Sequence, residues 1–372
     1  TGILLTICMI LGTIFPVLAE TENTSLEISA ASGILMEVET GKILYEKDSN
    51  TRRSPASVTK VMTLLLIFEQ LESGKLSLDD IVTTSAHAKS MGGSQVFLEE
   101  GEQQNVETMI KCIVIASGND ASVAMAEHIA GSEQSFVDRM NQRAVELGMK
   151  NTHFADCCGL TDSDAHYTTA YDLAKLMQYC MKNSTFRTIA GLKFCTVPAT
   201  NKYGERIFTS TNELLTLVDN RNYYYKYAIA GKTGYTTEAK NCLVSVSNKD
   251  GFELISVILS VGLYPNNISG KFVETKSLFN YGYDNYTLRK LREKDAIATQ
   301  VEVGNGTKET KNLDLLISDD ITATIKQSDF NTEFEPEIQI NENLHAPIAQ
   351  GEVLGKITYN IDGISYSAEL KA

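Results

Sequence analysis

The sequence predicts a mixed α/β (α+β) domain with a helical insert, followed by a small all-β module. Three observations carry this expectation. Strand-and-turn patterns stand on both sides of a long helical block, so strands far apart in the chain must share one sheet. One candidate helix is apolar around nearly its whole circumference and has to be buried. After about residue 290 the texture changes to short alternating strands.

In order along the chain, residues 29–45 read as a β-hairpin: Gly33-Ile-Leu-Met-Glu-Val38, a turn at Glu39-Thr-Gly-Lys42, then Ile43-Leu-Tyr45. Ser54 can cap the next helix and Pro55 suits its first position, with an apolar stretch from Val61 to Leu71 that Gly74 stops. Further helices are expected at about 105–116, 119–130, 133–147 and 169–182. The β signal returns at Asn241-Cys-Leu-Val-Ser-Val-Ser247 and continues through a turn at Asn248-Lys-Asp-Gly251 into a strand over 252–261. A helix over about 271–285 closes the domain. The terminal module carries strands such as Ile321-Thr-Ala-Thr-Ile325 and Gly355-Lys-Ile-Thr-Tyr359, with turns at Asn305-Gly306 and Asp362-Gly363. The expected division is 1–19, 20–287 and 288–372.

Composition narrows the function classes. The 372 residues hold 33 Lys and Arg against 47 Asp and Glu, a formal charge of −14, with no basic cluster longer than Arg52-Arg53. Nucleic acid is therefore excluded as a partner class. Residues 3–19 hold no charge, and Val17-Leu18-Ala19 places small residues before a cut at Glu20. That is the pattern of a secretory signal, so export to the cell envelope is expected, with a permanent membrane anchor as the alternative. The basic start of such a signal is missing, so the N-terminus reads as clipped. Ile7 ahead of Cys8 argues against a lipoprotein anchor. Seven cysteines fall to six once 1–19 is removed; they form no compact framework and no zinc spacing, and read as buried thiols. No cofactor or metal is called for.

Three short motifs carry the chemistry. Ser57 and Lys60 are one helical turn apart, so the hydroxyl and the amine share a face. A hydroxyl needs a base, and burial beside the positive end of a helix pushes a lysine toward the neutral amine that can serve. With 28 Ser and 24 Lys, about two such spacings arise by chance, and a capped helix with a surface lysine is the plain alternative. Ser117-Gly118-Asn119 offers a second hydroxyl and a carboxamide at a helix junction; an ordinary N-cap is its alternative. Lys232-Thr233-Gly234 presents an amine, a hydroxyl and a site of close backbone approach; a turn before a strand is its alternative.

In this order the three resemble the signature of penicillin-binding proteins and serine β-lactamases. The wording around them narrows the resemblance. Ser54-Pro-Ala-Ser-Val-Thr-Lys-Val-Met-Thr63, Ile115-Ala-Ser-Gly-Asn-Asp-Ala121, His166-Tyr-Thr-Thr-Ala-Tyr-Asp-Leu173 and Gly231-Lys-Thr-Gly-Tyr-Thr236 resemble the low-molecular-mass D-alanyl-D-alanine carboxypeptidases, the S11 family of serine peptidases. Leu344-His-Ala-Pro-Ile348 and Gly351-Glu-Val-Leu-Gly355 resemble the β-rich C-terminal domain of that family.

The resemblance implies a serine-transpeptidase/β-lactamase-like fold and a penicillin-sensitive carboxypeptidase. Its substrate would be the peptidoglycan stem pentapeptide, its inhibitors β-lactams. It further implies that Ser57 attacks the carbonyl between two D-alanines, that Lys60 takes the proton, and that Ser117 with Asn119 and Lys232 passes it to the leaving group. The backbone N–H groups of Ser57 and Tyr235 would hold the oxyanion. Lys232, Thr233 and Gly234 would line the seat of the terminal carboxylate, with Lys271 where relatives usually carry Arg.

Three departures qualify it. Lys271 keeps the charge but lacks the bidentate fork, so a weaker grip on the carboxylate is expected. Cys157-Cys158-Gly159-Leu160 replaces a segment relatives write with Asn, Pro or His. The strand-like sequence runs to Ala372, so the amphipathic membrane-surface helix that often ends relatives is expected to be clipped or absent. The rival activities are a β-lactamase, against which the missing Glu-x-x-Leu-Asn string between Asn119 and Lys232 counts, a D,D-endopeptidase, and a non-catalytic wall-binding protein.

Overall fold

The structure is a computed structural model that describes residues 26–372 apart from 162, 218–221 and 308–310. The expected signal segment 1–19, with Cys8, lies outside the described residues.

The hairpin forms as expected, from β1 (Ser32–Glu37) and β2 (Ile43–Lys47). The helical block follows: α1 (Lys60–Glu72), the one-turn α2 (Ala86–Lys89), α3 (Val106–Ile115), α4 (Asn119–Ala130), α5 (Glu133–Glu146), α6 (Ala170–Cys180) and α7 (Ser184–Ala190). Asn105, Ser132 and Thr169 cap α3, α5 and α6 through their side chains, and Gly131, at φ +81°, ends α4. The expected spans of α3 to α6 hold to within two residues. The short helix α7 was not expected; Asn183 caps it.

The chain then returns to the sheet through β3 (Ala228–Thr236), β4 (Lys240–Lys249) and β5 (Phe252–Val261), before helix α8 (Gly270–Asn285). The five strands make one antiparallel sheet in the order β2-β1-β5-β4-β3, with Leu35 of β1 opposite Ser256 of β5. Alternation divides the side chains between two cores. Ile34, Met36, Val244, Val246, Ile255 and Val257 face the helical block. Leu35, Leu243, Leu254 and Ile258 face Phe272, Leu278 and Phe279 of α8. With both faces covered, the strands read as continuous apolar runs rather than as alternation.

One expectation is corrected. Ser54 does not cap a helix starting at Pro55: a 3₁₀ turn over Ala56–Thr59 precedes α1, neither start has a side-chain cap, and Ala56 takes φ +48°. Contacts from outside set this turn, because Gly159 and Gly234 pack directly on its backbone. Helix α1 itself is buried from Lys60 through Phe68, as its apolar circumference requires.

The terminal module starts at Tyr286, which is both the last cap of α8 and the first residue of β6 (Tyr286–Arg292). It continues through β7 (Ile297–Glu302), β8 (Asn312–Ile317), β9 (Ile321–Lys326), β10 (Glu337–Ile340), β11 (Val353–Ile361) and β12 (Ile364–Lys371). A five-stranded sheet, β7-β8-β12-β11-β10, and the pair β6–β9 enclose a separate core that includes Leu315, Ile325, Ile357 and Leu370. Asp362 and Gly363, both at positive φ, close the β11–β12 hairpin as the Asp-Gly pair predicts. Among the described residues no helix is long and apolar enough to cross a membrane.

A buried amine ties the two parts together. Lys42, at the β1–β2 turn and 6% exposed, donates to the Thr324 carbonyl at 2.8 Å and pairs with Asp362 at 3.0 Å. Lys42→Met removes the donor and leaves both acceptors behind, at a cost of about 1–2 kcal/mol. The expected thermal midpoint is lower by roughly 2–6 °C in scanning fluorimetry, and an unchanged midpoint would show the bridge to be inert.

Candidate active site

Ser57 lies in the 3₁₀ turn and Lys60 is the first residue of α1. Lys60 is fully buried, and its Nζ stands 3.0 Å from Ser57 Oγ, 2.6 Å from Asn119 Oδ1 and 2.7 Å from the Cys158 carbonyl. Burial pushes the Lys60 amine below the usual lysine range, against the pull of the sulfur of Cys158 and Cys157 and of Asp156 and Asp120. The neutral amine has two hydrogens and one lone pair. Asn119 Oδ1 and the Cys158 carbonyl can only accept, so they take the hydrogens and leave the lone pair for the Ser57 hydroxyl.

The second motif does not cap a helix. Gly118 precedes α4 with no side-chain cap bond, and Ser117 is held at φ +59°. Asn119 donates from Nδ2 to the Gly92 carbonyl at 2.7 Å, which fixes its Oδ1 toward Lys60. Ser117 Oγ accepts from Lys232 Nζ at 2.8 Å.

The third motif lies within β3, not in a turn ahead of a strand. Lys232 is 2% exposed and Thr233 6%; Thr233 donates its hydroxyl to that of Thr211 at 2.7 Å. A Cβ at Gly234 would meet the Pro55 carbonyl at 2.9 Å and the Ser57 nitrogen at 3.1 Å, so only glycine lets β3 run this close to the turn. Tyr235, next along the strand, has its side chain 64% exposed. Lys271 sits in the first turn of α8. Burial drives Lys232 well below the usual range, and repulsion from Lys60 and Lys271 adds to it. The structure thus brings together Ser57, Lys60, Ser117, Asn119, Lys232, Thr233 and Gly234, with Lys271 near enough to act on Lys232 through its charge.

The 156–160 loop, opaque in the sequence, is the second wall of the turn. Asp156 accepts the backbone N–H of Cys158, Gly159, Leu160 and Thr161. Burial works against its charge, but His166 and these donors outweigh it and hold the carboxyl below its ordinary range. The loop presents the Cys157 carbonyl to Thr63 and the Cys158 carbonyl to Lys60. Those contacts use the backbone, so the role of the loop does not depend on the cysteine side chains. All six described cysteines are free and buried. Burial lowers the pKa of His166 against the pull of Asp156; its Nδ1 accepts from Ala155 N–H, which leaves Nε2 to donate to Thr59 Oγ1 at 2.8 Å. Sequence reading missed Asp156, although an Asp three residues ahead of a glycine is a turn signal that could have marked it.

Gly159, at φ +77°, would place a Cβ 1.9 Å from the Ala56 carbonyl. Gly159→Ala is expected to lower the thermal midpoint by roughly 6–12 °C, as strain and clash of about 3 kcal/mol require. Cys158→Ala, which keeps the carbonyl, is expected to cost only roughly 2–4 °C. Equal losses in the two variants would refute the backbone role of this loop.

Comparison with known proteins agrees with this geometry. The peptidase S11 model, described as D-alanyl-D-alanine carboxypeptidase, matches residues 19–262, and the model of the penicillin-binding protein 5 C-terminal domain matches residues 286–367. The D-alanyl-D-alanine carboxypeptidase DacF of Bacillus subtilis is 38% identical over 343 residues, covering 92% of this chain and 84% of that one. The crystal structure of penicillin binding protein 5 from Haemophilus influenzae superposes with a TM-score of 0.75 at 31% identity, over 94% of this chain and 97% of that one. A peptidoglycan synthesis regulatory factor (PBP3) from Streptococcus pneumoniae gives a TM-score of 0.79 at 26% identity, over 93% and 99%. With Ser57 beside the buried Lys60 amine at its centre and both family models matched along its length, the chain belongs to the peptidase S11 family of D-alanyl-D-alanine carboxypeptidases.

Proposed function

We propose that the protein is a serine-type carboxypeptidase that removes the terminal D-alanine from peptidoglycan stem pentapeptides through an acyl-enzyme on Ser57. The observation that carries this reading is the fully buried Lys60 amine, 3.0 Å from the Ser57 hydroxyl, with two acceptor-only partners. Lys60 takes the hydroxyl proton as Ser57 Oγ bonds to the carbonyl carbon of the penultimate D-alanine. The oxyanion rests on the N–H groups of Ser57 and Tyr235, which Gly234 allows to lie side by side. As the C–N bond breaks, the proton reaches the departing amine by way of Ser117 and Lys232. Water then cleaves the ester. The Lys232 and Lys271 amines and the Thr233 hydroxyl form the seat for the terminal carboxylate.

A β-lactam, which carries a carboxylate and a strained amide, takes the same path and stays on Ser57. The three polar partners of Lys60 include no carboxylate that could activate a deacylating water, which supports slow release rather than β-lactamase turnover. The uncharged stretch over 3–19 supports export, with the enzyme acting on the outer side of the cytoplasmic membrane; N-terminal sequencing of the exported protein is expected to begin at Glu20.

The decisive experiment offers a pentapeptide ending in D-Ala-D-Ala and measures free D-alanine. Ser57→Ala is expected to abolish release and to leave the protein unlabelled by fluorescent penicillin. An adduct that maps elsewhere would overturn the mechanism. The rate of acylation is expected to rise with pH as Lys60 loses its proton and to reach its plateau below the ordinary lysine range. Lys60 and Lys232 repel each other, so the apparent pKa of that rise belongs to the pair rather than to Lys60 alone. Lys271→Arg is expected to lower KM by about threefold to tenfold by restoring a bidentate grip, and unchanged kinetics would remove Lys271 from the carboxylate seat.

A further inference from the structure

The 92–98 loop holds a residue that the chemistry above does not use. Phe97 has φ +59°, a left-handed conformation that a bulky side chain adopts only under constraint. Its ring is 60% exposed, whereas Val96 (0%) and Leu98 (2%) on either side are buried. Packing of the ring therefore does not offset the strain.

The conformation is imposed from outside. The buried Asp120 carboxylate accepts from Val96 N–H and Leu98 N–H, each at 3.1 Å. Arg206 donates to the Val96 carbonyl at 2.9 Å and the Phe97 carbonyl at 3.0 Å. Arg206 is itself ion-paired with the fully buried Glu102, and the Tyr203 ring lies 4.7 Å from its guanidinium. A buried ion pair and a buried carboxylate together lock one aromatic ring into solvent.

That loop is also a wall of the site. The Gly92 and Ser94 carbonyls accept from Asn119, while Lys60 touches both Asn119 and Ser57. Gly234 packs on the other side of Ser57. Asn119 and Lys60 thus join the loop that exposes Phe97 to Ser57, while β3, which exposes Tyr235, packs directly on the Ser57 turn.

We propose that Phe97 sets substrate specificity: its ring receives the aliphatic side chain of the residue that precedes the D-Ala-D-Ala terminus. The assignment rests on the carboxypeptidase reading. The two D-alanines offer only methyl groups and are engaged by the residues around Ser57, so the first large apolar side chain of the substrate lies one residue upstream. A ring already fixed in place binds that chain without the entropy cost of ordering a loop.

The test compares kcat/KM for D-alanine release from Nα,Nε-diacetyl-L-lysyl-D-Ala-D-Ala and from N-acetyl-glycyl-D-Ala-D-Ala. Wild type is expected to favour the lysyl peptide by about tenfold or more. Phe97→Gly is expected to bring that ratio near unity while 6-aminopenicillanic acid, which has no acyl side chain to meet the ring, still acylates Ser57 at the wild-type rate. Its thermal midpoint is expected to rise by about 1–3 °C, because glycine tolerates the left-handed backbone. Phe97→Asn, also at ease there, gives a second reading of the ratio. A preference retained in both variants overturns the assignment alone. A midpoint that falls together with slower acylation also overturns it, in favour of a purely structural residue. No D-alanine release from either peptide by wild type overturns this assignment and the carboxypeptidase reading together.

Discussion

Burying the Lys60 amine is the constraint on which the rest of the site depends. A lysine taken out of water favours its neutral form, and it stays there only if its hydrogens find partners. Two acceptors, Asn119 Oδ1 and the Cys158 carbonyl, come from separate parts of the chain. Each is held by further bonds, Asn119 through Gly92 and the 156–160 loop through the four N–H groups on Asp156. The geometry around Ser57 is therefore the meeting point of three locally braced segments rather than a property of one helix.

The sheet supplies the fourth side. Because β1 and β5 pair across the domain, β3 occupies the edge of the sheet, where it can run past the 3₁₀ turn. Gly234 sets the distance, and Lys232 arrives buried, facing Ser117 rather than solvent. Burial depresses the pKa values of Lys60, Lys232 and Lys271, and at Lys232 repulsion from the other two lysines adds to it. An anionic terminus is the natural complement of that cluster of amines.

Much of this was legible in the chain. The apolar period located α3 to α6, the two-faced apolar runs located β4 and β5, and the Asp-Gly pair located the β11–β12 turn. Their causes are local: capping side chains, strand alternation and left-handed turn residues act within a few positions. The ribbons Ile81–Thr83 with Gln103–Asn105, and Phe194–Val197 with Arg206–Thr209, were not legible. Strands of three or four residues carry too little pattern, and long-range pairing decides them.

By itself the sequence determined the fold class, the two-part organisation and the identity of the chemical groups, because residue type and spacing govern periodicity and the supply of hydroxyls, amines and amides. Only the tertiary structure decided that Ser57 sits in a 3₁₀ turn instead of a helix, that Asn119 and the carbonyl of a loop braced by Asp156 hold the amine, and that Phe97 is locked into solvent. Those outcomes depend on atoms brought together from distant segments, where close packing and burial, which no local pattern encodes, set both the backbone conformation and the charge state.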